Sequence, residues 1–319
     1  MWSYIARRII QALFTLIIIT MVCWILTRLS ADPMAQYANR QGLTEADRDR
    51  IRHNLGLDRP LPVQYVSWLK LAMQGQLGDS FFSRQPVSLM IAQRLPLTLI
   101  LMFVAEIITI LISLFLGLLS AVKKYTWIDN LVTSLSFIGY SMPIFFVALG
   151  LMLIFAVQFK AWGLPYLPTG ADIWNPKNPL ELARHLVLPV SCLVIIQTAG
   201  YSRFLRSSIL EVLGLDYVRT ARAKGLNERA VLFKHALRNA ALPFVTIVGL
   251  DIPYLIGGAL VTESVFAWPG MGRLFWEYAQ RGDFPVVLGV LLLVSVAVVF
   301  FTIVTDMLYT FVDPRIRLG

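Results

Sequence analysis

The residues that could do chemistry in this chain are the acids set inside apolar sequence. Glu106, Asp251, Glu263 and Asp306 each fall within a long hydrophobic run. A carboxyl group in hydrocarbon is costly, so it needs a cationic partner, a hydrogen-bonded pair or a water-lined path. Asp251 stands two residues before Pro253. A helix broken at that proline would turn backbone carbonyls toward a cavity, which makes Asp251 and Pro253 candidates for the walls of a translocation path. Asp251 could meet a cationic substrate group or a partner subunit. Glu263 is expected near the outer mouth, where it could meet water. Asp306 is expected near the inner end, within reach of Arg315 or Arg317. Glu106, Glu263 and Asp306 each also admit a purely structural pairing. Pro143, in the run Gly139-Tyr140-Ser141-Met142-Pro143, is a candidate gate hinge. Gly249, Gly257 and Gly258 would allow close helix approach, within the chain or at a subunit interface.

Other chemistries find little support. His53, His185 and His235 lie clear of the apolar runs, and Ser207, Ser208 and His235 make no convincing nucleophilic arrangement. Cys23 and Cys192 sit in apolar runs with no histidine or carboxylate at ligand spacing, so they read as inert thiols and no metal site is expected. The phosphate-loop pattern G-x-x-x-x-G-K-[ST] is absent. ATP hydrolysis by that route would have to come from another polypeptide, and no enzyme chemistry is expected here.

The elements that carry these residues are helices long enough to cross a bilayer. Of the 319 residues, 57% are hydrophobic and 15% charged. A soluble domain is nearer 45–50% apolar. A spanning helix needs about 20 apolar residues, and six stretches qualify: Ile9–Leu29, Leu95–Val122, Leu131–Phe159, Leu186–Arg203, Leu242–Phe266 and Pro285–Val312. The first follows Arg7 and Arg8 and is longer than a signal-peptide core, with no small-x-small cleavage pattern after it, so it is expected to stay as a helix. Nothing alternates like a barrel strand. The predicted fold class is therefore an all-α membrane protein with six transmembrane helices.

Charge sets the expected orientation. With the N-terminus in the cytoplasm, the inner segments hold 14 Lys and Arg in 62 residues and the short outer loops 5 in 45. That contrast is the positive-inside pattern, and it accounts for most of the net charge of +9 without nucleic acid. Both termini are expected on the cytoplasmic side of a bacterial inner membrane. The expected organisation is a first helix over 1–30, an extracytoplasmic segment over 31–94, a five-helix core over 95–312 that contains the cytoplasmic loop 203–241, and a short tail over 313–319. In the outer segment, Thr44–His53 has helix-like polar composition. Pro62–Met73 reads as amphipathic, with Val63, Val66, Leu69 and Met73 on one stripe.

The inner loop carries the most distinctive sequence. Asp216 can cap a short helix over Tyr217–Lys224. Gly225 can end it in a left-handed turn. Asn227 can cap a second helix, with Glu228 favoured in its first turn. Ala221 and Ala223 are small enough to let the first helix sit deep in a partner's groove, while Tyr217 offers an aromatic anchor and Arg219, Arg222 and Lys224 offer charge. The same composition would also suit a basic loop on anionic lipid.

The segment DYVRTARAKGL followed by HALRNAALP resembles the cytoplasmic loop of permeases in binding-protein-dependent ABC importers, and is most similar to the dipeptide/oligopeptide (peptide, nickel, glutathione) branch. RLSADP, LGLDRPLPVQYVSWL with GQLGDSF, GGALVTESVFAWPGMGRL and DMLYTFVDPRIR resemble that branch in the right order along nearly the whole chain. Arg219-Thr220-Ala221 replaces the Glu-Ala-Ala of the general permease motif, which narrows the likeness to the peptide branch. The resemblance implies a type I importer fold. It implies that Tyr217, Arg219, Thr220, Ala221, Arg222, Ala223, Lys224, Gly225 and Leu226 form a coupling helix docking on an ATPase. It also implies a second homologous permease, two ABC ATPases that bind the ATP and magnesium, and an extracytoplasmic binding protein. Peptides or similar small solutes would move inward by alternating access. A proton-coupled secondary transporter using Glu106 and Asp251, and a membrane interaction protein that does not transport, stand as alternatives.

Overall fold

The computed structural model describes residues 2–30, 34, 44–54, 56–170, 175, 178–257 and 259–312. The Pro253 ring, the Asp306 carboxyl, Arg315, Arg317, Gly258 and the tail 313–319 lie outside the described residues and side chains. Among the described residues all regular structure is helical. In chain order, the main helices are α1 (Trp2–Ser30), α2 (Glu45–Asn54), α3 (Leu61–Met73), α4 (Val87–Val122), α5 (Trp127–Ser141), α6 (Ile144–Met152), α7 (Pro179–Leu213), α8 (Asp216–Ala223), α9 (Arg238–Gly257), α10 (Leu260–Val265), α11 (Met271–Gln280) and α12 (Phe284–Val312).

Among the described residues, five helical stretches are long and apolar enough to cross a membrane: Arg7–Leu29, Val87–Val122, Ile144–Ala161, Pro179–Leu213 and Phe284–Thr305. A sixth is counted if Glu228–Ala241 and Pro243–Asp251, which meet at a 42° bend, are taken as one span. Three expectations need correction. The second span opens at Val87 and holds Pro96 in its interior, where bilayer helices tolerate a proline. The third span is not one kinked helix, because the chain breaks at Met142-Pro143 and restarts as α6. The bend in the fifth lies at Pro243, and the helix runs on through Pro253 to Gly257.

The chain folds as two compact units, one formed by residues up to Pro96 with Leu274–Ile303, the other by Leu97–Arg273 with the stretch from Val304. In the first unit, α2 starts with a reciprocal cap in which the Asp47 amide donates to Thr44 Oγ1 and the Thr44 amide to Asp47 Oδ2. Helix α3 packs on α1 through Tyr65, whose hydroxyl lies 2.9 Å from Thr20 Oγ1. The stripe of Val63, Val66 and Met73 faces away from the chain. The face that sequence periodicity marks as buried is therefore open to its surroundings. The loop 79–86 is fixed by Asp283, which accepts from Ser80 Oγ at 2.6 Å and from the Phe82 amide at 3.0 Å.

Helices α4 and α7 are far longer than a bilayer requires. Their 36 and 35 residues span about 54 and 52 Å against roughly 30 Å of hydrocarbon. Small residues bring them together: a Cβ on Gly117 would lie 3.0 Å from Leu205 Cβ and from the Ser202 carbonyl. One apolar cluster joins Leu101, Met102 and Ala105 to Leu186, Val190 and Val194 under the fully buried Trp268. A second joins Leu205 and Ile209 of α7 to Ala240 and Phe244 of α9. Gly249 meets Thr305, whose hydroxyl donates to the Gly249 carbonyl at 2.9 Å.

Candidate functional site

Helix α7 runs unbroken from Asn178, which caps it by accepting from the Leu180 amide, to Leu213. The stretch expected to begin an inner loop at Arg203 is thus the end of a rigid rod. Leu215 precedes α8, and Asp216 takes the first helical position, where it pairs with Arg219 at 3.5 Å instead of capping. Gly225 follows with φ of +77°, the left-handed closure that a side chain would oppose. Asn227 then caps the next turn by accepting from the Ala230 amide at 2.7 Å. From Val231 to Leu237 the backbone widens into π-helical turns before α9.

This short helix is held on the chain by one face. Val218 and Ala221 are buried against Val231, with Val212 and Leu213 beside them. Asn239 donates to Tyr217 Oη at 2.9 Å, and Arg222 Nε donates to Glu228 at 2.8 Å. Tyr217, Arg219, Thr220, Arg222, Ala223, Lys224, Gly225 and Leu226 remain exposed. Ala221 was expected to face a partner's groove, and that expectation is corrected. Its small side chain lets α8 approach its own chain, because an inward residue three positions after Val218 shares Val218's face.

An ion pair that sequence spacing does not reveal anchors the same end of α7. Arg206 donates through Nε and Nη2 to the two oxygens of Asp129, both at 2.7 Å. Ser120 Oγ and the Tyr125 amide also donate to this carboxylate. The Arg206 guanidinium holds the Asp129 carboxyl well below the ordinary carboxylate range, against the opposing effect of burial. The 77 residues between the partners leave no local pattern to find.

The acids inside the bundle have distinct surroundings. Asp251 is half-buried, and its Oδ2 lies 2.5 Å from Tyr201 Oη, which also lies 3.1 Å from Glu106 Oε1. One phenolic proton cannot serve both acceptors, so the chain of bonds is complete only when one carboxyl carries a proton. Glu263 is fully buried, so it does not meet water as expected. It accepts from Thr98 Oγ1 at 2.8 Å and from the Arg273 amide at 3.0 Å, while the Met271 amide donates to Thr98 Oγ1 at 2.7 Å. Its charge therefore sits at the positive end of α11, where amides lack helical partners. Pro143 stands ahead of α6 at the chain break. The geometry brings Glu106 and Asp251 together across Tyr201, while Glu263 belongs to another hydrogen-bond network.

Helix α7 thus ends in a short helix that is packed by one face and bare on the other. Residues 113–318 match the family model described as "Binding-protein-dependent transport system inner membrane component", and residues 1–102 match its N-terminal companion. The chain belongs to this family. It is accordingly a multi-pass inner-membrane subunit of a binding-protein-dependent ABC importer. It is 41% identical to the oligopeptide transport system permease protein AppB of Bacillus subtilis, over 99% of this chain and 100% of that protein. A putative peptide permease protein of Brucella suis is also 41% identical, with 99% of each chain covered. A probable peptide ABC transporter permease protein of Sinorhizobium fredii is 36% identical over 99% of this chain and 100% of that one. Among solved structures, an amino acid ABC transporter crystallised with histidines superposes with a TM-score of 0.51 at 18% identity, over 69% of this chain and 92% of that one. The fold is that of type I importer permeases.

Proposed function

We propose that this permease carries di- or oligopeptides into the cytoplasm in a complex with a second homologous permease, two separate ABC ATPases and an extracytoplasmic binding protein. Full-length likeness to relatives named as peptide permeases supports the substrate class. The observation that carries the mechanism is the bare face of α8, presented on a helix that its other face, the Arg222–Glu228 pair and Asn239 all hold in place. Both termini and residues 203–241 lie in the cytoplasm in this scheme, and residues 31–94 on the outer side. ATP-driven closure of the ATPases draws the coupling helices together and rocks the permeases outward-open to receive substrate. Hydrolysis restores the inward-open state. Asp251, exposed enough to meet solvent, faces the pathway, while Glu263 serves as an internal anchor.

The test is uptake of labelled peptide by proteoliposomes holding the four membrane and ATPase subunits plus binding protein. Uptake should require ATP and the binding protein. Uptake by liposomes without the ATPases, driven by a pH gradient, would overturn this reading in favour of secondary transport. Mass spectrometry of the ligand released from the binding protein identifies the substrate.

A further inference from the structure

Three helices of the second unit meet at a polar cluster for which ATP-driven rocking has no need. Glu106 comes from α4, Tyr201 from α7 and Asp251 from α9. Tyr201 Oη lies 3.1 Å from Glu106 Oε1 and 2.5 Å from Asp251 Oδ2. The second Glu106 oxygen, Oε2, has no hydrogen-bond partner, although the residue is only 5% exposed. A carboxylate oxygen only accepts, so what it lacks is a donor. A buried acceptor left unmet is costly, and most so when it is charged.

The chain itself does not supply that donor. Among the described residues no lysine, arginine or histidine pairs with either carboxyl. Arg203, two residues after Tyr201, is turned to α5 instead, with its guanidinium 4.7 Å from the rings of both Phe137 and Tyr140. The surrounding seam of α4 and α7 is polar as well. Thr109 donates to Gln197 at 3.3 Å. Ser113, one turn after Thr109, and Thr198, one turn before Tyr201, are buried with hydroxyl oxygens that find no partner. The unmet Glu106 oxygen is thus part of a polar seam and not an isolated defect. Access is at Asp251, which is half-buried, while Glu106 lies deeper.

A ligand that satisfies both acids must bring positive charge and hydrogen-bond donors. A metal ion is short of ligands, because among the described residues no third acid, histidine or cysteine joins the two. An ammonium or guanidinium group brings several N–H donors and needs only acceptors. We propose that Glu106 and Asp251 receive the cationic side chain of a lysine or arginine in the transported peptide, and that the importer favours basic peptides. This rests on the peptide reading above and names the substrate class within it. The incoming cation meets Asp251 first and then supplies the donor that Glu106 Oε2 lacks. A neutral side chain of similar length leaves an intramembrane carboxyl uncompensated, which is the source of the preference.

The test uses the complete importer in proteoliposomes with ATP. The binding protein is saturated with Ala-Lys-Ala or with Ala-Gln-Ala, so that its own affinity does not set the rates. The wild type should take up Ala-Lys-Ala about tenfold faster, the factor for one charge-assisted hydrogen bond. In E106Q/D251N the two rates should become equal. D251N alone, changed where the chain is half-exposed and folding is least at risk, should already lower the ratio. Because a ratio is read, a uniform loss of activity does not imitate the effect. Equal uptake of the two peptides by the wild type, or a ratio unchanged in both variants, would overturn the proposal and leave peptide import standing. Dependence of both uptakes on sodium or potassium, lost in E106Q/D251N, would assign the site to an inorganic ion and overturn it too. Failure of the wild type to take up either peptide with ATP would remove the peptide reading, and this proposal with it.

Discussion

Enlarging Ala221 and enlarging Ala223 should fail in different ways, although the two residues are neighbours in an eight-residue helix. Ala221 is 5% exposed and wedged against Val218 and Val231. In A221L three extra carbons must enter that contact, and overpacking of this kind costs about 1–3 kcal/mol. A helix this short cannot hold its shape without tertiary packing. The loss therefore falls on the seating of α8, and the bare face is no longer presented. Ala223 is exposed, and A223L should change stability by no more than about 0.5 kcal/mol while adding bulk to the face proposed to receive an ATPase. Co-purification of the ATPases should drop for both variants. A protease-resistance profile of the isolated permease should change for A221L alone. Normal ATPase association in A223L, with or without an effect of A221L, would refute docking through this face. A cysteine at 223 should also cross-link to an ATPase subunit more efficiently than one at 221.

Replacing Arg206 by Ala leaves the buried Asp129 carboxylate without its main partner. It should destabilise the fold by about 3 kcal/mol, the low end for broken buried pairs because Arg206 keeps some exposure, read as a lowered unfolding midpoint in detergent. The depressed Asp129 pKa contributes stability above its unfolded value, near 4, and that contribution is lost as pH falls toward the folded value. D129N should flatten the pH dependence of the melting temperature below pH 4. A Cβ on Gly270 would stand 2.3 Å from the Glu263 carboxyl carbon. G270A should therefore break the anchor of α11 and reduce folded yield more than the exposed change G163A, though Gly163 has a positive φ of 69°. Y201F removes the bridge between Glu106 and Asp251 and should cost about 1–3 kcal/mol, with transport reduced; unaltered stability would show that the bridge contributes nothing.

The sequence alone determined what depends on composition and on near neighbours. Long apolar runs dictate spanning helices because hydrocarbon leaves the backbone no other way to satisfy its polar groups. Gly225 and Asn227 announce the turn and the cap that follow α8, since those signals reside within a few residues. Tertiary structure decided which side of each helix is used. Periodicity marks an apolar stripe on α3 but not what covers it, and in this chain the stripe faces outward while Tyr65 faces in. Ala221 and Ala223 are equally small, and only the packing against Val231 tells them apart. The four intramembrane acids look alike in sequence. Glu263 became an anchor because Thr98, 165 residues away, meets it, and Glu106 and Asp251 became neighbours because Tyr201 stands between them. Such pairings depend on how helices cross, and crossing is settled by side-chain shape at sites such as Gly117 and Gly249, where the absence of a side chain allows another helix close.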